Sequence, residues 1–199
     1  MKKIIITTGG SGGHVIPSLS IYDALKDDFE VEISTDLRGS KYINNENYNY
    51  SLIDVPNLFS NLLLLPYNLI KFCISIIKSY KYLKLNNFNI LISTGGYMSL
   101  PLCLASTLLN IKIYIFEPNS VLGRANKLIL RFAEKVICYD KNLKGISKKF
   151  INKVYLIKPL LRKEIYKYQK NKKTTISEKK ININYRRKSG SKVLRRNYY

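Results

Sequence analysis

At 199 residues the chain is long enough to bury one full core, and a hydrophobic share of 46% excludes an intrinsically disordered polymer. The formal charge of +21 would suit nucleic acid or an anionic membrane surface, but no nucleic-acid-binding module accompanies it. Lys, Ile, Asn and Tyr, all encoded by AT-rich codons, are abundant, so compositional drift accounts for much of the charge and nucleic acid is not expected as a partner.

The predicted elements alternate strand and helix. Residues 3–8 read as a buried strand, 9–13 as a glycine loop and 14–27 as a helix with Leu19, Ala24 and Leu25 among its apolar positions. Strands follow at 30–34 and 51–55. After Pro56 a helical tract runs to about Lys84, with Pro66 expected to break or kink it. Residues 89–93 form a strand, a glycine turn follows, and 98–110 form a helix. Further strands fall at 111–116, 134–138 and 154–157, with a helix between the first two. This order predicts an α/β fold, a doubly wound, Rossmann-like parallel sheet complete by about Pro159. Its ligands belong beyond the carboxyl ends of the strands.

No secretory signal is expected, because the apolar run 4–6 is short and leads into glycines. The stretch 62–77 is interrupted by Pro66, Asn68 and Lys71 and is too short to span a bilayer. Its apolar residues are mixed with Lys71, Lys78, Lys81 and Lys84, which suits either an anionic membrane surface or a core helix with a solvated lysine face. Cys73, Cys103 and Cys138 lack metal-ligand spacing and sit in apolar stretches. Reduced, buried thiols in a cytosolic protein are expected, with no metal and no cofactor.

Three polar loops fall at the carboxyl ends of predicted strands. Thr8-Gly9-Gly10-Ser11-Gly12-Gly13-His14 lets the backbone turn tightly and brings a ligand against a helix N-terminus. Its spacing departs from the dinucleotide pattern GxGxxG, which argues against a nucleotide cofactor. His14, the only histidine, is a candidate for acid–base chemistry or for simple packing. The second loop is Ser93-Thr94-Gly95-Gly96-Tyr97-Met98. The third runs from Glu117 through Pro118 and Asn119 to Gly123, Arg124, Asn126 and Lys127.

Together GGSGGHVIPSLSIYDAL, STGGYMSLPLCLAS and FEPNSVLGRANKLILRFAEKV resemble, in order and spacing, the N-terminal domain of the MurG family of GT-B glycosyltransferases. The resemblance covers residues 1 to about 165. It implies transfer of N-acetylglucosamine from UDP-N-acetylglucosamine to lipid I, the undecaprenyl-pyrophosphate-linked N-acetylmuramoyl-pentapeptide, to form lipid II. It also implies a peripheral location at the cytoplasmic face of the bacterial inner membrane. Carried over by position, Ser11 (usually Thr in the family), Gly12 and Gly13 contact the donor. His14 becomes the base for the acceptor hydroxyl or a positioning group. Asn119 contacts the donor, Glu117 and Asn126 are polar residues of the same loop, and Gly95, Gly96 and Tyr97 hold the acceptor pyrophosphate. Pro118 stands where Gln is common. Lys158-Pro159-Leu160-Leu161-Arg162 is similar to a linker whose arginine lies near the donor, with an extra residue before Arg162. The remaining readings are another GT-B transferase and a non-catalytic membrane-binding fragment.

Residues 1–160 are thus read as an acceptor-binding domain and 161–199 as a basic, poorly ordered tail. From Lys163 onward there are 13 Lys and Arg against 2 acids. One choice of codons for 182–192, read one base later, encodes ILIIGGSQGAK, a strand and glycine loop like those opening the family's second domain. A frameshift between about residues 161 and 182 would explain the tail and leave this chain inactive alone.

Overall fold

The computed structural model describes residues 1–56, 62–160, 183–188 and 191–196. Within residues 1–162, which form one compact unit, seven strands line up in one sheet: β1 (Lys3–Thr7), β2 (Glu30–Thr35), β3 (Tyr50–Leu52), β4 (Ile90–Ser93), β5 (Lys112–Glu117), β6 (Ala133–Cys138) and β7 (Val154–Leu156). Their order is β3-β2-β1-β4-β5-β6-β7, and every pairing is parallel. The helices are α1 (Gly12–Leu25), α2 (Leu37–Ser40), α3 (Leu65–Leu85), α4 (Leu100–Leu108) and α5 (Arg124–Ile129). The expected doubly wound α/β fold is what the chain adopts.

The strands are apolar on both faces because both are covered. Ile5, Leu91, Ile113 and Ile115 join Leu83 of α3 and Leu102 of α4 in one core. Ile4, Ile6, Ile92 and Phe116 face the other way and pack with Val15 and Leu19 of α1. The period-2 geometry of a strand sends successive side chains to opposite layers, so the short run Ile4-Ile5-Ile6 serves both. The order reverses between β1 and β4, and Thr7 pairs with Ser34 on one side and Ser93 on the other. This register places the loops after β1, β2 and β4 side by side at the switch point, where such sheets bind ligands.

Several expectations change in detail. Pro66 neither breaks nor kinks a helix: α3 begins at Leu65, so Pro66 occupies the first turn, where a missing N–H costs nothing. A 3-10 turn at Leu62–Leu64 precedes it, and residues 57–61 of the predicted tract lie outside the described ones. Pro17 sits inside α1, a residue the helix tolerates at the loss of one rung to the Gly13 carbonyl. The helix predicted over 98–110 is a 3-10 turn, Tyr97–Ser99, followed by α4. Helix α2 was not expected; it is one short turn capped by Asp36, whose side chain accepts from the Gly39 N–H.

Helix α3 is apolar on both sides. Its inward side buries Leu83 together with Asn68, Ser75 and Ser79 and packs Phe72 and Ile76 against the core, while Leu63 (in the preceding turn), Tyr67, Ile70, Ile74 and Ile77 are exposed at helical spacing on the opposite side. Cys103 and Cys138 are buried as expected, but Cys73 is exposed. It lies on this helix, where apolar neighbours do not signal the core. Among the described residues no helix is long and apolar enough to cross a membrane.

Of residues 163–199, a second unit by contact, the structure describes two antiparallel strands, β8 (Ile183–Lys188) and β9 (Ser191–Arg196). The proposed junction between residues 161 and 182, including Arg162, lies outside the described residues.

Candidate functional site

The first and second glycine loops interlock. The Thr94 N–H donates to the Thr7 carbonyl at 3.0 Å, joining the loop stems. Gly96 has φ +85, and a Cβ there would stand 2.8 Å from the Gly9 carbonyl oxygen; one on Gly9 would meet Met98 Cβ at 2.7 Å. Only glycine permits this approach of two backbones.

His14 lies in the first turn of α1, and its Nδ1 is 2.9 Å from the Thr94 carbonyl oxygen. A carbonyl only accepts, so Nδ1 carries the hydrogen, and in the neutral ring Nε2 keeps its lone pair. The second loop thereby sets the tautomer of a residue on the first. Gly95 is confined by the same arrangement: with φ +92, its Cβ would stand 3.2 Å from both the His14 ring and Asn126 Nδ2.

The third loop is organised by Glu117, which is buried at the end of β5. Its Oε1 accepts from Asn119 Nδ2 at 2.9 Å, and its Oε2 accepts from the Gly123 N–H at 2.9 Å and from Asn126 Nδ2 at 3.1 Å. Ser93 Oγ donates to Asn126 Oδ1 at 3.2 Å, and the Gly95 N–H donates to Ser93 Oγ at 3.3 Å. A continuous network therefore runs from the third loop into the second. Such a fully partnered buried network rigidifies what it touches.

Asp36, at the carboxyl end of β2, ties the first loop to α2. Its Oδ1 accepts from the N–H groups of Gly10 at 2.9 Å and Gly39 at 3.0 Å, and Arg38 Nε donates to its Oδ2 at 2.9 Å. Burial opposes ionisation of Asp36, but the Gly10 N–H, the Arg38 guanidinium and the Gly39 N–H together outweigh it. They hold the carboxyl below the usual carboxylate range.

These loops border an open cleft of about 1340 Å³. Its lining includes the polar groups His14, Asp36, Arg38 and Asp54 and the backbone of Gly96, together with Phe72, Tyr97, Leu104 and Leu128. The Tyr97 ring stacks on Phe72 with centroids 5.6 Å apart. Its buried hydroxyl has no hydrogen-bond partner among the described residues, and burial pushes its pKa up to about 12.

Of the residues singled out in the sequence, His14, Gly96 and Tyr97 reach the cleft. Ser11, Gly13 and Asn119 are exposed and Gly12 is half-buried. Gly95, Glu117 and Asn126 are buried within the network. Asp36, Arg38 and Ser93 had gone unnoticed as site residues. An acid directly after the second strand, with an arginine two positions on, was the available signal for the first two. Among the described residues no group of three His, Cys, Asp or Glu could hold a metal ion.

Residues 4–138 match the model of the glycosyltransferase family 28 N-terminal domain. The chain is 49% identical over 165 residues to the UDP-N-acetylglucosamine–N-acetylmuramyl-(pentapeptide) pyrophosphoryl-undecaprenol N-acetylglucosamine transferase of Pelagibacter ubique, covering 83% of this chain and 46% of that protein. It is 36% identical over 167 residues to the transferase of the same name from Rickettsia typhi, covering 83% and 42%. The chain thus spans a little under half the length of the curated relatives it matches. Among solved structures, Acinetobacter baumannii MurG superposes with a TM-score of 0.66 at 22% identity, over 88% of this chain and 50% of that one. A Staphylococcus aureus MnaA–UDP structure does so with a TM-score of 0.57 at 18% identity, over 78% and 43%. With the fold of the N-terminal half of a GT-B glycosyltransferase and a family match over most of its sheet, the chain belongs to the glycosyltransferase family 28 N-terminal domains.

Proposed function

We propose that this chain is the acceptor-binding half of an N-acetylglucosaminyltransferase. The full enzyme takes N-acetylglucosamine from UDP-N-acetylglucosamine and joins it to the 4-hydroxyl of N-acetylmuramoyl-pentapeptide on undecaprenyl pyrophosphate, turning lipid I into lipid II. The observation that carries this reading is the His14 ring, held by the Thr94 carbonyl at 2.9 Å with its other nitrogen left as a base beside two glycine loops. The names of the relatives from Pelagibacter and Rickettsia supply the substrates.

In this reading His14 Nε2 takes the proton of the acceptor hydroxyl as that oxygen bonds to C1 of the sugar and the C1–O bond to UDP breaks, UDP leaving as the diphosphate, a role that contributes about 10²- to 10⁴-fold in rate. Gly95, Gly96 and Tyr97 form the pyrophosphate-binding turn. Ser11, Gly12, Gly13 and Asn119 meet the donor, which a second domain holds from the other side, together with Arg162. Glu117 and Asn126 act one step back, keeping the second and third loops in register. The exposed apolar stripe of α3, bordered by Lys71 and Lys78 and continued by Lys81 and Lys84, rests on an anionic membrane at the cytoplasmic face of the inner membrane. That places the glycine loops within reach of a lipid-linked acceptor.

The test is a chimera in which residues 1–160 replace the matching half of the Pelagibacter ubique relative. Transfer of labelled N-acetylglucosamine to lipid I is the expected outcome, with His14→Gln reducing turnover at least about 100-fold while leaving the unfolding midpoint in place. A chimera that folds but transfers the sugar to a different acceptor, or an active His14→Gln variant, would overturn the assignment.

A further inference from the structure

The first glycine loop has two neighbours. The second loop packs on Gly9 and His14, and the segment after β2 packs on Gly10 and Gly12. There the Asp36 carboxylate accepts from the Gly10 N–H, Arg38 Nη2 lies 3.6 Å from where a Cβ of Gly10 would stand, and the Tyr42 ring lies 3.2 Å from where one of Gly12 would. The Asp36–Arg38 pair keeps its negative end inside and its positive end outside, with the side chains 6% and 67% exposed. Asp36 is occupied by two backbone N–H groups and by Arg38 Nε, whereas Nη1 and Nη2 of Arg38 make no hydrogen bond or ion pair among the described residues. An arginine fixed through Nε with its Nη edge open suits a phosphoryl group, and this one lines the same cleft as His14. The lining as a whole sets Arg38, Arg124 and Arg131 against Asp36 and Asp54, so recognition of an anion there depends on placed groups rather than on net charge.

We propose that Arg38 is a catalytic residue for the donor: its Nη groups donate to phosphoryl oxygens of a nucleoside-diphosphate sugar lying on the first loop and stay bonded to the diphosphate as it departs. The acceptor oxygen bonds to C1 of the sugar, the C1–O bond to the β-phosphate breaks with its electron pair staying on that phosphate, and the acceptor proton goes to His14 Nε2. The leaving diphosphate gains negative charge, and a guanidinium already held in place stabilises it without reorganising. Asp36 is the positioning residue behind it. This role rests on the transferase reading above and adds a cation that this half of the enzyme brings to the donor. The donor is assigned because Arg38 flanks Gly10, next to the Ser11 to Gly13 stretch that meets the donor in that reading; the pyrophosphate turn of Gly95, Gly96 and Tyr97 adjoins Gly9 and His14 instead.

The test uses the 199-residue chain, titrated separately with UDP and with isopentenyl pyrophosphate and followed by NMR, which reads weak binding; thermal melting checks that each variant is folded. Arg38→Gln should weaken UDP about tenfold or more and leave isopentenyl pyrophosphate within about twofold. Lys41→Gln, which removes an exposed cation of the same segment, should leave both affinities in place. Unchanged UDP affinity in Arg38→Gln would overturn the role, while binding of both probes to the parent would leave the transferase reading standing. An equal loss of UDP in Lys41→Gln would reduce the effect to general attraction and overturn it as well. Loss of isopentenyl pyrophosphate in Arg38→Gln, alone or equally with UDP, would put Arg38 on the acceptor's diphosphate or on a shared site, and the donor role would fall. A parent chain that binds neither probe would remove the transferase reading, and the role of Arg38 with it.

Discussion

Replacing Gly96 by alanine tests the interlock of the two glycine loops directly. Its backbone, at φ 85 and ψ 143, lies close to a region populated almost only by glycine, and holding another residue there costs about 1–3 kcal/mol. The new methyl would also stand 2.8 Å from the Gly9 carbonyl oxygen. That atom is backbone, two residues beyond the end of β1, so it cannot swing aside as a side chain would, and overpacking of this kind adds about 1–3 kcal/mol. A loss of about 3 kcal/mol is expected, which for a chain of this size is roughly 6–12 °C in Tm. Gly13→Ala is the matched control. It lies in the first turn of α1, where its Cβ would meet only Ser11 Oγ at 3.7 Å, so alanine should be neutral or stabilising by up to about 1 kcal/mol. Urea unfolding of both variants against the parent, with m-values compared, reads the difference. If Gly96→Ala unfolds within about 0.5 kcal/mol of the parent, the loops are not locked backbone to backbone and the placement of His14 needs another explanation.

Asp36→Asn keeps an oxygen for Gly10 and Gly39 but gives up the charge facing Arg38, and should cost about 1 kcal/mol at pH 7. Because the folded carboxyl is held below its ordinary value of 3.8, its stabilisation is complete above that pH and lost as pH falls through the lowered value. The gap between parent and Asp36→Asn in urea midpoint should therefore close in acid; a gap that persists at about pH 2 would refute the pairing. Tyr97→Phe removes a buried hydroxyl that has no partner among the described residues, so stability should hold or rise by up to about 1 kcal/mol; a loss measured by thermal melting would reveal a partner for that oxygen. Ile74→Asp should weaken binding to anionic vesicles by about tenfold or more, in sedimentation assays where added salt weakens the parent too. Salt sensitivity without any effect of Ile74→Asp would leave charge alone as the membrane contact.

Much of the fold was readable because parallel sheets write themselves plainly. Ile4-Ile5-Ile6, Ile90-Leu91-Ile92 and Ile113 to Phe116 are short apolar runs ending in polar loops, and a strand covered on both faces admits little else. The glycine loops were equally open to inspection, since four glycines in five residues have few other uses. What escaped was set by tertiary position. Asp36 is one acid among thirteen in composition; its importance comes from the register that brings Gly10 beside the end of β2. Pro66 reads as a helix breaker within a continuous apolar tract, and only the true start of α3 turns it into a favourable first-turn residue. Cys73 and the isoleucines around it look like core because periodicity tells which residues share a face and not what that face meets. The roles of Glu117 and Asn126 depend on side-chain oxygens and nitrogens meeting across two loops, a relation that spacing along the chain does not encode.

The apolar outer side of α3 bears on how this protein distributes its stability. A helix normally turns its isoleucines inward, each worth about 1.5–3 kcal/mol when fully buried; here Ile76 packs against the core, but Ile70, Ile74 and Ile77 stay outside. The domain therefore folds with a smaller hydrophobic margin than its composition would allow, and retains that unspent affinity on its surface. In water this reserve favours self-association, so the protein should become harder to keep dispersed as its concentration rises. At a lipid interface the same residues are withdrawn from water, and whatever binds the folded form and not the unfolded chain stabilises the fold. For this domain, attachment and resistance to unfolding would rise together.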